Sequence, residues 1–234
     1  MTLTLTRTHW VSIAAVALAL LFAGAATVAS AGGDDGHPNG HGGGAAAAAA
    51  ADSADAGFAR DMAVHHQQAV EMSFVVRDRT QDEEVRRLAY DIANTQANQR
   101  GMLLGWLDLW GLPKVDSGAE PMAWMEQAHG KGGHGDGAHG DDGGQPDSGA
   151  VMPGMATRAE LDRLAKASGK QAEVLYLQLM TDHHKGGVAM AEGCASLCTV
   201  PQEKALAQGM VDAQQSEMDL MADLLKKRGA APRP

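Results

Sequence analysis

Met62-Ala-Val-His65-His66-Gln-Gln-Ala69-Val-Glu-Met72 returns further along the chain as Met180-Thr-Asp-His183-His184-Lys-Gly-Gly187-Val-Ala-Met190, every matching pair lying 118 residues apart. The same offset carries Phe58 onto Tyr176, Ala89 onto Ala207, Gln96 onto Gln214 and Gln99 onto Glu217. A repeat kept in register over this length is two copies of one structural unit. Phe58, Met62, His65, Ala69, Met72 and Val76 follow alternating steps of four and three, the spacing of a buried helix-packing stripe. Tyr176, Met180, His183, Gly187, Met190 and Cys194 repeat it. His65 and His183 are therefore expected on the inward seam, with His66 and His184, about 100° further round the helix, on its flank. Ala69 and Gly187 are small, so a partner helix or an ion can approach beside each seam imidazole.

The second helix of each unit carries the stripe Leu88, Ile92, Gln96, Gln99, Leu103, Trp106 in one copy and Leu206, Met210, Gln214, Glu217, Met221, Leu224 in the other. If the hairpins turn near residues 80 and 199, Gln96 stands level with His65 and Gln214 with His183. Gln99 then falls beside Met62 and Glu217 beside Met180. This predicts a central layer of two His and two Gln next to a layer of two Met, one Gln and one Glu.

Around these hairpins the chain reads as an N-terminal secretory signal peptide over residues 1–31, with an apolar run from about Trp10 and an Ala29-Ser30-Ala31 site. That run is also long enough for an uncleaved membrane anchor, so export to the periplasm, cell envelope or exterior is expected, with membrane contact only through this segment. A Gly/Ala/Asp/His leader follows over 32–52, too poor in apolar residues to build a core. The bundle is expected over 53–228, as hairpin one at 53–110, a crossover linker at 111–156 and hairpin two at 157–228, ahead of a tail at 229–234. Thr80-Gln-Asp-Glu83 and Thr157-Arg-Ala-Glu160 read as capping boxes opening helices. No stretch alternates with period two, so the fold class is all-α.

A net charge of −10 without a basic cluster beyond Lys226-Lys227-Arg228 gives no nucleic-acid footprint. Aromatics are 4% of the chain against 13 Met and 10 His, a core rich in thioethers. Cys194 and Cys198 stand four apart near a helix end, where one turn is poor geometry for a disulfide. They read as structural thiols or a clamped helix end, or as a soft-metal ligand pair. No nucleophile elbow, phosphate loop or Cys-His pair is present to carry covalent catalysis.

Buried seam polar groups must bond to one another or bind something. One reading is a His-Gln hydrogen-bond network that pairs the hairpins; the other is a metal site shared between them. Met at i−3 of each seam His favours metal, because thioether with imidazole suits Cu(I) over Cu(II), although other transition metals also take imidazole. Di-iron chemistry would need Glu where Met62 and Met180 stand, and structural zinc usually takes Cys with His. The expected ligands are Met62, His65, Met180 and His183, with His66, Met72, His184, Met190 and Glu217 as secondary ligands or orienting groups. Met122-x-x-Met125 and Met152-x-x-Met155 could pass Cu(I) inward or simply pack on the bundle. His37, His41, His129, His134 and His139 lie in Gly/Asp-rich segments that could chelate weakly.

Met62-x-x-His65-His66-x-x-Ala69-x-x-Met72, Gln96-x-x-Gln99, Met152-Pro-Gly-Met155-Ala-Thr157, Leu161-x-x-Leu164-x-x-Ala167-Ser-Gly169, Met180-x-x-His183-His184-x-x-Gly187-x-x-Met190-Ala191 and Gln214-x-x-Glu217-x-x-x-Met221 together resemble the exported bacterial family called domain of unknown function 305. The resemblance implies a ferritin-like four-helix bundle, and some members of that family are associated with copper binding and tolerance. Gln99 and Leu103 depart from the family's usual Glu and Met, whereas Glu217 and Met221 keep them, which points to the second hairpin as the primary site. The expected function is copper sequestration or relay, with envelope copper-handling proteins as partners. A metal-dependent redox enzyme using copper or iron, or a structural module of the cell envelope without metal, are the alternatives.

Overall fold

The structure, a computed structural model, describes residues 49–126 and 150–234. The signal-peptide reading and His37, His41, His129, His134 and His139 lie outside the described residues. Ser53 opens α1 (Ala54–Arg79) by accepting the Ala56 N–H on its side chain. α2 (Glu83–Leu109) is capped by Asp82, which accepts from Val85 N–H. This corrects the capping box expected at Thr80: that residue ends α1 in extended backbone and donates its hydroxyl to the buried Glu173. A short α3 (Ala123–Glu126) carries Trp124 edge-on to Phe58, with ring centroids 5.7 Å apart. α4 (Arg158–Lys166) starts with both halves of the Thr157–Glu160 capping box formed.

α5 (Gly169–Leu197) and α6 (Pro201–Lys227) make the second hairpin. α6 has Pro at its first position, where no intrahelical N–H is needed. The Thr199 and Val200 N–H groups ahead of it are held by Asp55 of α1, at 2.8 and 2.7 Å. Asp55 near the start of α1 thus meets the end of α5, while Ser73 further along α1 bonds Tyr176 near the start of α5 at 3.0 Å. α1 and α5 are therefore antiparallel, and the two hairpins meet chiefly through them. The result is an all-α four-helix bundle of two repeated hairpins, and no strand occurs among the described residues.

Arg228 closes one end of the bundle between Glu173 at 2.7 Å and Asp82 at 2.9 Å, joining the end of α6 to the first hairpin's turn. Breaking such a buried ion pair typically costs about 3–5 kcal/mol, because the remaining charge stays desolvated. Cys194 and Cys198 form a disulfide with Cα atoms 4.8 Å apart. The expectation of poor geometry fails because Cys198 has already left the helix and lies in extended backbone as the C-cap of α5. Among the described residues no helix is long and apolar enough to cross a membrane.

The apolar core is split in two. One cluster holds Ala69, Met72, Val76, Ile92, Tyr176, Met180 and Met221; the other holds Phe58, Met62, Leu103, Trp124, Met190, Cys194 and Met210. Each buried Met contributes about 1.5–3 kcal/mol of burial. Between the clusters along α1 and α5 come the histidines.

Candidate metal centre

His65, His66, His183 and His184 are all wholly buried. His65 and His183 meet across the α1–α5 contact with ring centroids 3.7 Å apart. His66 and His184 lie on the flank of that contact and are buried there. Each turns toward the second helix of its own hairpin, His66 Nε2 lying 2.9 Å from Gln99 Oε1 and His184 Nε2 2.7 Å from Glu217 Oε2. The two pairs are related by the repeat offset, so the duplication in sequence is a duplication in geometry.

These pairs also correct the hairpin register. Midway between His66 and Gln99, and midway between His184 and Glu217, the chain is at 82–83 and 200–201. Each turn is centred about two residues later than expected, because Asp82 rather than Thr80 starts α2 and Pro201 starts α6. Opposed positions therefore shift by about one helical turn. Glu217 faces His184 instead of lying beside Met180, Gln99 faces His66 instead of Met62, and Gln214 lies level with Gly187. The amide of Gln214 fills the space there: a Cβ on Gly187 would come within 2.5 Å of its Oε1.

The expected layer with Met62 and Met180 together does not form either. In antiparallel helices, a residue three before one histidine lies opposite a residue after the other. Met180 joins Met72 in one cluster and Met62 joins Met190 in the second. The histidines are thus flanked along the bundle by two clusters, one holding Met72 and Met180 and the other Met62 and Met190.

Burial decides the protonation of the layer. Desolvation, with the charge of neighbouring histidines, lowers the pKa of His65 to about 4 and of His66 to about 3, and puts His183 well below its ordinary value. For His65 the Pro153 carbonyl opposes this burial effect by favouring the charged form, without meeting hydrogen-bond geometry. These three imidazoles are neutral at neutral pH, the form that ligates metal. A carbonyl or carboxylate can only accept, so Nε2 of His183 donates to the His65 carbonyl at 3.0 Å, and Nε2 of His66 and His184 donate to Gln99 and Glu217. In a neutral ring that bond leaves the lone pair on Nδ1.

None of those Nδ1 atoms has a hydrogen-bond partner, nor does either nitrogen of His65. Eight of the twelve buried side-chain N and O atoms without partners among the described residues belong to the four histidines, Gln96 and Gln214. Each such atom costs about 1–3 kcal/mol, so the polar deficit of the fold is concentrated here. The residues fit a soft ion. Among the described residues, no three His, Cys, Asp or Glu donors of this layer come within 4.8 Å of one another, so an ion could take two imidazoles with thioether rather than three imidazoles.

Of the two readings of Met152-x-x-Met155 the structure shows packing on the bundle, and what sequence reasoning missed is that the segment covers this layer. The turn at Met152–Met155 lies against α5, where Cβ atoms on Gly186 and Gly154 would fall 2.0 Å from the Pro153 oxygen and 2.3 Å from the Asp182 oxygen. Gln68 clamps the same segment to α1, donating to the Ala156 carbonyl at 2.9 Å and accepting its N–H at 2.6 Å. Met152 is buried, and Met125 packs its thioether on Gly193. The adjacent glycines Gly186 and Gly187 inside a long helix were the available signal.

The family model for the domain of unknown function DUF305 matches residues 55–225. A DUF305 protein of Streptomyces coelicolor is 62% identical, over 79% of this chain and 99% of that one, with a TM-score of 0.68. A DUF305 fragment of Deinococcus radiodurans is 28% identical, over 74% and 96%, with a TM-score of 0.56. CopM in its Cu(I)-bound form shares the fold at 19% identity, over 74% and 96%, with a TM-score of 0.52. No curated protein matches the chain. With its family model spanning both hairpins and the histidine layer between them, the chain belongs to the DUF305 family.

Proposed function

We propose that this protein binds copper outside the cytoplasm, sequestering or relaying Cu(I) through the histidine layer and the methionines beside it. The observation that carries the reading is the set of unpartnered, buried imidazole nitrogens on His65, His66, His183 and His184. Met62 with Met190 and Met72 with Met180 supply thioethers on either side, and Gln99 and Glu217 orient the rings they bond. When bound, Cu(I) would exchange between these soft donors without changing oxidation state, so the chemistry is binding and transfer. CopM, with the same fold, has been solved in Cu(I)-, Ag- and Cu(II)-bound forms, and the Streptomyces coelicolor relative is named as a secreted protein. Both support the reading.

A competitive Cu(I) titration of the wild type and the His65→Ala/His183→Ala variant tests it. High-affinity binding is expected in the first and its loss in the second; equal stoichiometry and affinity in both would remove the layer as the site. The His66–Gln99, His184–Glu217 and His183–His65 hydrogen bonds favour a second reading, a polar network that only pairs the helices. It predicts no Cu(I) binding by either protein.

A further inference from the structure

We infer that the α5–α6 turn holds a second, redox-gated metal site, in which reduction of the Cys194–Cys198 disulfide exposes two sulfur ligands that join Glu203 to bind Zn²⁺. It is independent of the histidine layer. The Cys194 and Cys198 sulfurs and a Glu203 oxygen lie within 4.8 Å of one another, and all three side chains are buried. This is the one such triad of His, Cys, Asp or Glu donors among the described residues. Glu203, in the first turn of α6, is 0% exposed, and neither of its oxygens has a hydrogen-bond partner of good geometry, although the Asp55 carboxyl lies close enough to share its proton. Asp55 stands beside it but is already engaged by Thr199 and Val200.

In the disulfide state the sulfurs are uncharged and poor ligands. A dithiol reductant supplies two electrons and two protons, converting the disulfide to two thiols while itself becoming a disulfide. Burial, then the neighbouring Asp55 charge, raises the pKa of Glu203 to about 9, so it too carries a proton at neutral pH. Metal binding then releases two thiol protons and the Glu203 proton and leaves two thiolates and one carboxylate on the ion. A mixed sulfur and oxygen set suits Zn²⁺. Cys194 and Cys198 also line the cluster containing Met190, so the site is built into the bundle and not into a loose tail.

The test is a Cd²⁺ titration of the full exported chain, with the disulfide intact and after anaerobic reduction with the reductant removed. One additional equivalent, with a thiolate-to-cadmium charge-transfer band, is expected only after reduction, and prior loading with Zn²⁺ should shift the titration to higher Cd²⁺. Binding by the histidine layer would occur in both states, so the difference isolates this site. Cys194→Ser/Cys198→Ser should abolish the gain. Outer-shell groups alone are worth about 10- to 100-fold in metal affinity, so Glu203→Gln should weaken binding by at least about tenfold while leaving two titratable thiols. No gain on reduction overturns the proposal, as does a Glu203→Gln variant that binds as tightly as the wild type.

Discussion

Gly186→Ala tests whether the Met152–Ala156 segment is a packed cover of the histidine layer. A Cβ at residue 186 would lie 2.0 Å from the Pro153 oxygen and 2.6 Å from its carbonyl carbon, where ordinary contact begins at 3.4 Å. The obstacle is backbone, so the segment must retreat by about 1.4 Å, the gap between those distances. Retreat breaks the Gln68 clamp, two buried hydrogen bonds of 2.9 and 2.6 Å, each worth about 1 kcal/mol. Overpacking adds about 1–3 kcal/mol, and the better helix propensity of Ala returns about 1 kcal/mol. The net expectation is a loss of about 2–4 kcal/mol. Gly209→Ala, on the exposed face of α6 with nothing within 4 Å of its Cβ, is the control and should gain up to about 1 kcal/mol. Urea denaturation of both variants beside the wild type measures this. Gly186→Ala as stable as Gly209→Ala would refute the packing argument.

The metal-free protein should lose stability in acid through its histidines. The folded pKa values of His65, His66 and His183 lie below the unfolded value of about 6.5, so the unfolded chain takes up protons first. That contribution is complete above about pH 6.5 and fades as pH falls toward the folded values of about 4 for His65 and about 3 for His66. Between pH 7 and 5 His65 and His66 should each account for about 2 kcal/mol, measured for His66 as the flattening of the stability–pH curve in His66→Gln; an unchanged slope would contradict the burial account. Glu203 has the opposite sign. Its pKa is raised to about 9 by burial and Asp55, so its contribution is present at low pH and lost as pH rises from about 4.5 toward 9. With the disulfide intact, Glu203→Gln should be more stable than the wild type at pH 8, by about 2–4 kcal/mol in thermal or urea unfolding, and the gap should close near pH 4.

The fold was legible because the repeat and the four-and-three spacing are local properties of α1 and α5, written on each helix separately. That Met62 and Met180 part company was not, since it follows from the antiparallel pairing of helices from different hairpins. Register was lost for a smaller reason: Thr80 matches a capping pattern as well as Asp82 does, but Glu173, distant in sequence, recruits its hydroxyl. Two residues at each turn move the opposed partners by about a helical turn, which is why the sequence places Gln99 beside Met62 and Glu217 beside Met180. The Gln68 clamp spans 88 residues and carries no local signature. Asp55 holding the Thr199–Val200 turn ahead of α6 from the other hairpin is equally silent in sequence, and so is its approach to Glu203.

The central claim is that Cu(I) is held by buried imidazole and thioether together. X-ray absorption at the copper edge, on protein carrying one equivalent of Cu(I) with the Cys194–Cys198 disulfide intact, reads those ligands directly. A first shell of mixed imidazole nitrogen and sulfur is predicted, with the imidazole scattering lost in His65→Ala/His183→Ala. A shell without imidazole, or one identical in that variant, would contradict the account.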